Sequence, residues 1–392
     1  MSRIDNLVKE LCPDGVDYKP LATLFDTRNG YTPRKTDAEA WSGDEVPWFR
    51  MEDIRANGGI LDDSIQRISK SAVKGGRLFA ADSILVATSA TIGEHALIRV
   101  PHLSNQRFTC LTLKDEYRSR FDVKFLYYYC FRLDEWCKKN TTVSSFQSVD
   151  MVGFKRFRFP IPPLAVQREI VRVLDQFTQL EAELEAELEA RRRQYEYYRH
   201  REMTFSGSVT RSPLGELVQV KTGAAVSKRL IQENPGPYPV INSGREPLGY
   251  IGEYNTEGNP VGITSRGAGV GSITWCEGRY YRGNLNYGVT VKDVNELDVR
   301  FLYHSLQYMQ PELRALCSFQ GIPALNKASL ERLVIPLPDM AVQMKVVSIL
   351  DKFDALVNDL NSGLPAEIAA RRKQYEYYRD KLLAFPEKGA AA

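Results

Sequence analysis

Apolar residues at Val166, Ile170, Leu174, Phe177, Leu180, Leu184 and Leu188 recur in steps of three and four, which marks one face of an α-helix. No glycine or proline interrupts Leu164–Met203. At about 1.5 Å per residue the pattern predicts a single rod of about 60 Å, longer than an ordinary globular helix and suited to a coiled coil. A helix with one narrow apolar stripe is unstable alone in water and needs a partner. The stripe returns at Val342, Val346, Leu350, Phe353, Leu356 and Leu360, and then meets Gly363 and Pro365. These two residues predict a break, with Pro365 in the first turn of a restarted helix. Elsewhere the patterning is short. Strands are predicted at 83–88, 96–100, 238–242, 261–264, 272–275 and 287–291, and helices at 123–136 and 301–309. This is an α+β pattern.

The two stripes belong to a duplication. Pro160-Ile-Pro-Pro-Leu-Ala-Val-Gln167 recurs as Pro336-Leu-Pro-Asp-Met-Ala-Val-Gln343, 176 positions later. Arg191-Arg-Arg-Gln-Tyr-Glu-Tyr-Tyr-Arg199 recurs as Arg371-Arg-Lys-Gln-Tyr-Glu-Tyr-Tyr-Arg379 at an offset of 180, so the second copy carries four extra residues. Weaker matches precede each copy: Pro20-Leu-Ala-Thr-Leu-Phe25 resembles Pro213-Leu-Gly-Glu-Leu-Val218, which sets Gly30 opposite Gly223. The organisation is an N-terminal helix and extended segment at 1–19, a variable domain at 20–159 and a spacer helix at 160–206. A second variable domain at 207–335, a second spacer helix at 336–386 and a tail at 387–392 complete it. Two equivalent helices after two equivalent domains predict an antiparallel, pseudo-two-fold coil. Tyr195 and Tyr198, with Tyr375 and Tyr378, share a face and serve either coil packing or the docking of a partner. In the tandem Leu-Glu-Ala-Glu run, Glu187 with Arg191 and Glu189 with Arg193 stand in the favourable i,i+4 order.

Composition adds mostly exclusions. The chain has 392 residues, 43% hydrophobic and 26% charged, with a formal net charge of +3. That excludes a strongly basic chromatin-like protein and an acidic solvating one. No apolar run approaches a membrane span and no secretory leader is evident, so a cytoplasmic protein is expected. The six cysteines and four histidines show no ligand spacing, and no metal site is expected. Gly267-Ala-Gly-Val-Gly271 looks like a piece of a nucleotide loop, but a strand rather than a helix should follow it, so a glycine-rich hairpin is the better reading. No catalytic constellation is evident.

The variable domains are mildly basic, with 21 basic against 17 acidic residues in 20–159 and 13 against 11 in 207–335. Their basic residues cluster in turns beside amides and aromatics. Arginine, lysine, asparagine and glutamine on loops are the side chains that bind phosphates and read base edges. The candidate DNA contacts are Arg28, Asn29, Tyr31, Arg34, Lys35, Arg50, Thr88, Ser89, Asn105, Gln106, Arg107 and Gln147 in the first domain. In the second they are Lys221, Lys228, Arg229, Asn242, Ser243, Arg245, Ser265, Arg266, Asn284, Asn286, Tyr287 and Gln320.

Taken together, the two variable domains, the paired Pro-rich entries into Ala-Val-Gln helices and the Arg-Arg-x-Gln-Tyr-Glu-Tyr-Tyr-Arg copies resemble the DNA specificity subunit of type I restriction-modification enzymes. Leu11-Cys-Pro-Asp-Gly-Val16, Ile84-Leu-Val-Ala-Thr-Ser-Ala-Thr-Ile-Gly93 and Gly262-Ile-Thr-Ser-Arg-Gly-Ala-Gly-Val-Gly271 are similar to that family's N-terminus and strand-turn motif. The resemblance implies two target recognition domains, each reading one half of a bipartite site in double-stranded DNA. It implies a spacer that sets the gap and docks two methyltransferase subunits, with restriction and translocase subunits joining them. It also implies that the chain is not itself catalytic and binds no cofactor, while its partners use S-adenosylmethionine, ATP and Mg. A self-contained DNA methyltransferase and a coiled-coil scaffold with two protein-binding domains are the alternatives.

Overall fold

The predicted long helix forms without a break over Leu164–Met203. The second copy is divided into helices Met340–Asn358 and Leu364–Leu382, with Pro365 in the first turn of the latter. The computed structural model describes residues 3–142, 147–205, 207, 209–244, 246–358 and 363–389. Two compact units result, one of residues 1–183 with 369–392 and the other of 184–368. The boundary falls inside the helices, so each unit holds one variable domain and a piece of both spacer copies. Residues 369–382 supply to the first unit what 189–202 supply to the second.

In the first unit, a five-stranded sheet runs in the order Phe25–Asn29, Phe108–Leu113, Ser83–Ala87, His95–Ile98, Ile60–Leu61. A three-stranded sheet orders Arg67–Ile68, Val46–Phe49, Leu103–Ser104 beside it. The second unit repeats this plan. Strands Val218–Thr222, Asn286–Val291, Val261–Thr264 and Ile273–Trp275 form one sheet, and a second sheet centres on Pro235–Ile241 and Arg279–Arg282. The parallel pair Trp48↔Leu103 has its counterpart in Val240↔Tyr281. Strands 261–264 and 273–275 are antiparallel neighbours, so the segment Gly267–Gly271 is the turn of a hairpin, with no helix after it.

In both units a helix covers the sheet and receives the spacer. Val123–Lys139 is capped by Asp122, and Val299–Tyr308 by Asp298. Gln167 is fully buried; it accepts from the Asp122 N–H at 2.9 Å and donates to the carbonyls of Arg120 at 2.9 Å and Pro162 at 2.7 Å. Gln343, equally buried, accepts from the Asp298 N–H at 2.9 Å and donates to Glu296 and Pro338, both at 2.8 Å. About two turns on, Asp175 takes Lys124 at 2.7 Å and the Tyr128 hydroxyl at 2.6 Å. Its counterpart Asp351 takes Arg300 at 2.6 Å and His304 at 2.7 Å. The repeated Pro-rich and Ala-Val-Gln sequences thus build one device twice: a glutamine that fastens the spacer helix to its domain.

The second stripe differs from expectation. Val342 and Leu356 are exposed, whereas Gln343, Val346, Leu350 and Val357 are buried. The glutamine's three bonds turn that face toward the domain, and the apolar stripe rotates by one residue at each end. Leu360 lies outside the described residues. Helix pairing is antiparallel in the first unit: Phe177 meets Tyr375 and Tyr378, and Glu181 further along pairs with Arg372 at 2.5 Å. In the second unit Tyr195 and Tyr198 stack on Phe353, with ring centroids 6.2 and 5.0 Å apart. Packing therefore accounts for these four tyrosines. The neighbouring Tyr197 and Tyr377 do not share that role; they are 63% and 62% exposed. The Glu187–Arg191 and Glu189–Arg193 pairs form, at 3.4 and 2.6 Å.

Candidate nucleic-acid interface

Three strand ends converge in each domain. In the first, Asn29 pairs with Thr109 and Ala87 with Phe108. The residues after 29, after 87 and before 108 therefore emerge at one end of the sheet. This brings together Tyr31, Thr88, Ser89, Asn105, Gln106 and Arg107. The crossing is tight enough to require glycine, since a Cβ on Gly30 would lie 2.1 Å from the Asn105 carbonyl oxygen. Thr109 links Thr88 and Asn29 through their side chains at 2.9 and 3.0 Å. A bridge from Ser89 to Ser148 adds the hairpin that carries Gln147.

The second domain repeats the arrangement. Gly223 crosses with its would-be Cβ 2.3 Å from the Gly283 oxygen. Thr222 pairs with Tyr287, and Thr264 with Asn286. Ser265, Arg266, Asn284 and Tyr287 thus meet at one end. The Arg266↔Ala324 bridge adds the hairpin carrying Gln320, as Ser89↔Ser148 does in the first domain.

The side chains divide by exposure. Gln106, Arg107, Gln147, Arg266, Asn284 and Gln320 are exposed at these ends. Others are held by the protein. Asn105 receives the Arg107 N–H at 3.0 Å. Asn242 receives the Leu285 N–H at 2.9 Å, and Asn286 receives the Arg282 guanidinium at 2.6 Å with no exposure of its own. Ser265 is buried, and Ser243 is half-buried. Tyr287 donates to the Leu325 carbonyl at 3.1 Å. Tyr31 donates to the Ala72 carbonyl and receives the Lys74 N–H at 2.9 Å.

Several candidates lie elsewhere on the domains. The Arg28 guanidinium sits 4.2 Å from the Phe79 ring centre and donates to the Arg77 carbonyl at 2.9 Å; burial lowers its pKa from the usual arginine value. Arg50 lies over Trp48 and 3.8 Å from Glu52. Arg34, Lys35 and Lys221 are exposed on a loop, a turn and an edge strand, Lys228 is exposed at the start of helix Lys228–Glu233, and Arg229 pairs with Glu233 at 2.7 Å. Arg245 lies outside the described residues. Among the described residues, Arg107 and Arg266 form no ion pair with a carboxylate, so each presents an uncompensated cation at the convergent end of its domain. The sequence reading missed Arg282, buried and bonded to Asn286, Tyr287, Asn259 and Tyr280. No pattern at the level of sequence marks it, because its partners come from separated strands.

This doubled architecture matches known proteins over almost its whole length. Residues 13–190 and 208–370 fit the family described as the type I restriction modification DNA specificity domain. The chain belongs to that family. It is 44% identical over 377 residues to the specificity subunit of the type I restriction enzyme EcoprrI from Escherichia coli, covering 92% of this chain and 93% of that one. It is 33% identical over 298 residues to the EcoR124I/EcoR124II specificity subunit of Escherichia coli, covering 68% and 71%. The fold of a type I S subunit from M. genitalium superposes with a TM-score of 0.58 at 19% identity, over 94% of this chain and 95% of that one. Among the described residues no helix is long and apolar enough to cross a membrane.

Proposed function

We propose that this specificity subunit reads a bipartite site in double-stranded DNA, one half with each variable domain, at the convergent strand ends. The observation that carries the reading is the repetition: the same three strand ends, the same glycine crossing and the same bridged hairpin present exposed amides and an unpaired arginine in both domains. Arginine bidentate to guanine and glutamine or asparagine to adenine are the contacts that such side chains make in the major groove. The spacer helices set the distance between the half-sites. They also dock two methyltransferase subunits, for which Tyr197 and Tyr377, exposed at equivalent positions of the two copies, are the natural anchors, since tyrosine is enriched among residues that dominate interfaces. Chemistry belongs to the partners: S-adenosylmethionine to the methyltransferase subunits, ATP and Mg to the restriction and translocase subunits. The chain itself supplies position and specificity, and acts in the cytoplasm. Methylome sequencing of cells with and without the chain tests this. A two-part methylated motif that vanishes on deletion is the expected result, and an unchanged methylome overturns the reading.

A further inference from the structure

The hairpin Cys317–Ser318 with Ala324–Leu325 ends in an unusual tip. Phe319 is 57% exposed and Ile322 is 76% exposed, and between them lie the exposed Gln320 and Gly321, the latter at φ +84°. Among the described residues this large apolar pair joins none of the buried clusters of its domain and stays largely open to solvent. The base of the same hairpin is firmly held. The Gly267 N–H donates to the Pro323 carbonyl at 2.9 Å, the Leu325 N–H to Ser265 at 2.8 Å and the Tyr287 hydroxyl to Leu325 at 3.1 Å. These partners are the strand ends that carry Arg266 and Asn284. The tip therefore projects at the end of the domain assigned to DNA, fixed relative to the polar groups around it. Its surroundings are cationic: Arg266 is bridged to the hairpin through Ala324, and Arg314 lies on the helix leading into it; neither is ion-paired among the described residues. An apolar tip framed by unpaired arginines is matched to a polyanion with an apolar interior, and stacked DNA is such a partner.

Resting on the function proposed above, we propose that Phe319 and Ile322 form a wedge that enters a base step of the second half-site, unstacks it and bends the duplex. Proteins that insert phenylalanine or isoleucine between base pairs kink DNA by roughly 20–90°, and pyrimidine–purine steps yield most easily. The wedge adds a second layer of specificity, the deformability of the step, to the direct contacts of Arg266, Gln320 and Asn284. The segment Ser318-Phe319-Gln320 has a counterpart in Ser145-Phe146-Gln147 of the first domain, and this repetition is the sequence signal that marks the hairpin.

The test uses the full chain assembled with its methyltransferase subunits. The probe is a DNA duplex carrying the site found by methylome sequencing, with 2-aminopurine placed in turn at steps of the second half-site that do not include the methylated base, since a methyltransferase takes that base out of the stack itself. Binding of the unaltered complex should raise fluorescence at least threefold at one step. Phe319→Ser and Ile322→Ser together should return it to the level of free duplex while the complex still forms. Both positions are exposed, so the fold should survive, and circular dichroism checks this. Tight binding by the unaltered complex with no unstacked step at any probed position overturns the wedge and leaves half-site reading intact. A signal that persists in the double variant also overturns it. Failure of the unaltered complex to bind any DNA overturns both the wedge and the function on which it rests.

Discussion

Replacing Gln343 with leucine should detach the second spacer helix from its domain. The glutamine is fully buried and makes three bonds, one accepted from Asp298 and two donated to Glu296 and Pro338. Leucine fills similar space and satisfies none of them. A buried polar group left without a partner costs roughly 1–3 kcal/mol, so three such groups cost about 3–6 kcal/mol once partial relaxation is allowed for. A typical domain is stable by only about 5–15 kcal/mol, so the loss is large. Glutamate is the sharper control. When ionised it can still accept from Asp298 but cannot donate to either carbonyl, so it should be at least as damaging as leucine. Urea denaturation gives the size of the effect, and hydrogen exchange gives its place. In Gln343→Leu, exchange should accelerate in Met340–Asn358 and Val299–Tyr308, and in Gln167→Leu it should accelerate at the start of Leu164–Met203 and in Val123–Lys139. A loss below about 1 kcal/mol with unchanged exchange would refute the argument that this glutamine fastens helix to domain.

Inserting one Leu-Glu-Ala-Glu tetrad after Glu187 lengthens the helix by about 6 Å, between one and two base-pair steps of about 3.4 Å; sequencing of methylated sites should show the same half-sites with a wider gap, and an unchanged gap would refute a spacer ruler. Tyr197→Ala with Tyr377→Ala should weaken association with the methyltransferase subunit at least tenfold in analytical ultracentrifugation without lowering the melting temperature of the isolated chain, whereas full affinity would remove both residues from the interface. His102 is fully buried between Phe49 and Phe79, its Nδ1 donates to the Val100 carbonyl at 2.8 Å and its Nε2 has no hydrogen-bond partner among the described residues, and burial pushes its pKa from 6.5 down to about 4. The folded state therefore resists the proton that the unfolded chain accepts; the His102 contribution is complete above about pH 6.5 and is lost as pH falls toward 4, by at most about 3 kcal/mol. His102→Phe should flatten the urea stability profile across that window relative to the unaltered chain, and parallel profiles would contradict the assignment.

Much of this was legible in the sequence where the signal is periodic or repeated. The 40-residue helix, its break before Pro365 and the i,i+4 ion pairs follow from spacing and backbone chemistry alone. Gly30 and Gly223 were aligned by the repeat, and both prove to be close crossings that exclude a Cβ. The roles of Gln167 and Gln343 were not legible, because a polar residue beside an apolar stripe reads as exposed until its three partners are known. The same limit applies to the interface. Asn242 and Asn286 look like base readers in sequence, but Leu285 and Arg282 claim their side-chain oxygens. Loop residues are oriented by contacts across strands far apart in the chain, and periodicity carries no information about those.

The central claim is that each domain reads its own half of one site, and the methylomes of Arg107→Ala and Arg266→Ala variants test it most directly. Each variant should relax one half of the methylated motif, a different half in each case, and leave the other half and the gap unchanged. Equal weakening of both halves by either substitution would contradict the account and reduce these arginines to general phosphate contacts.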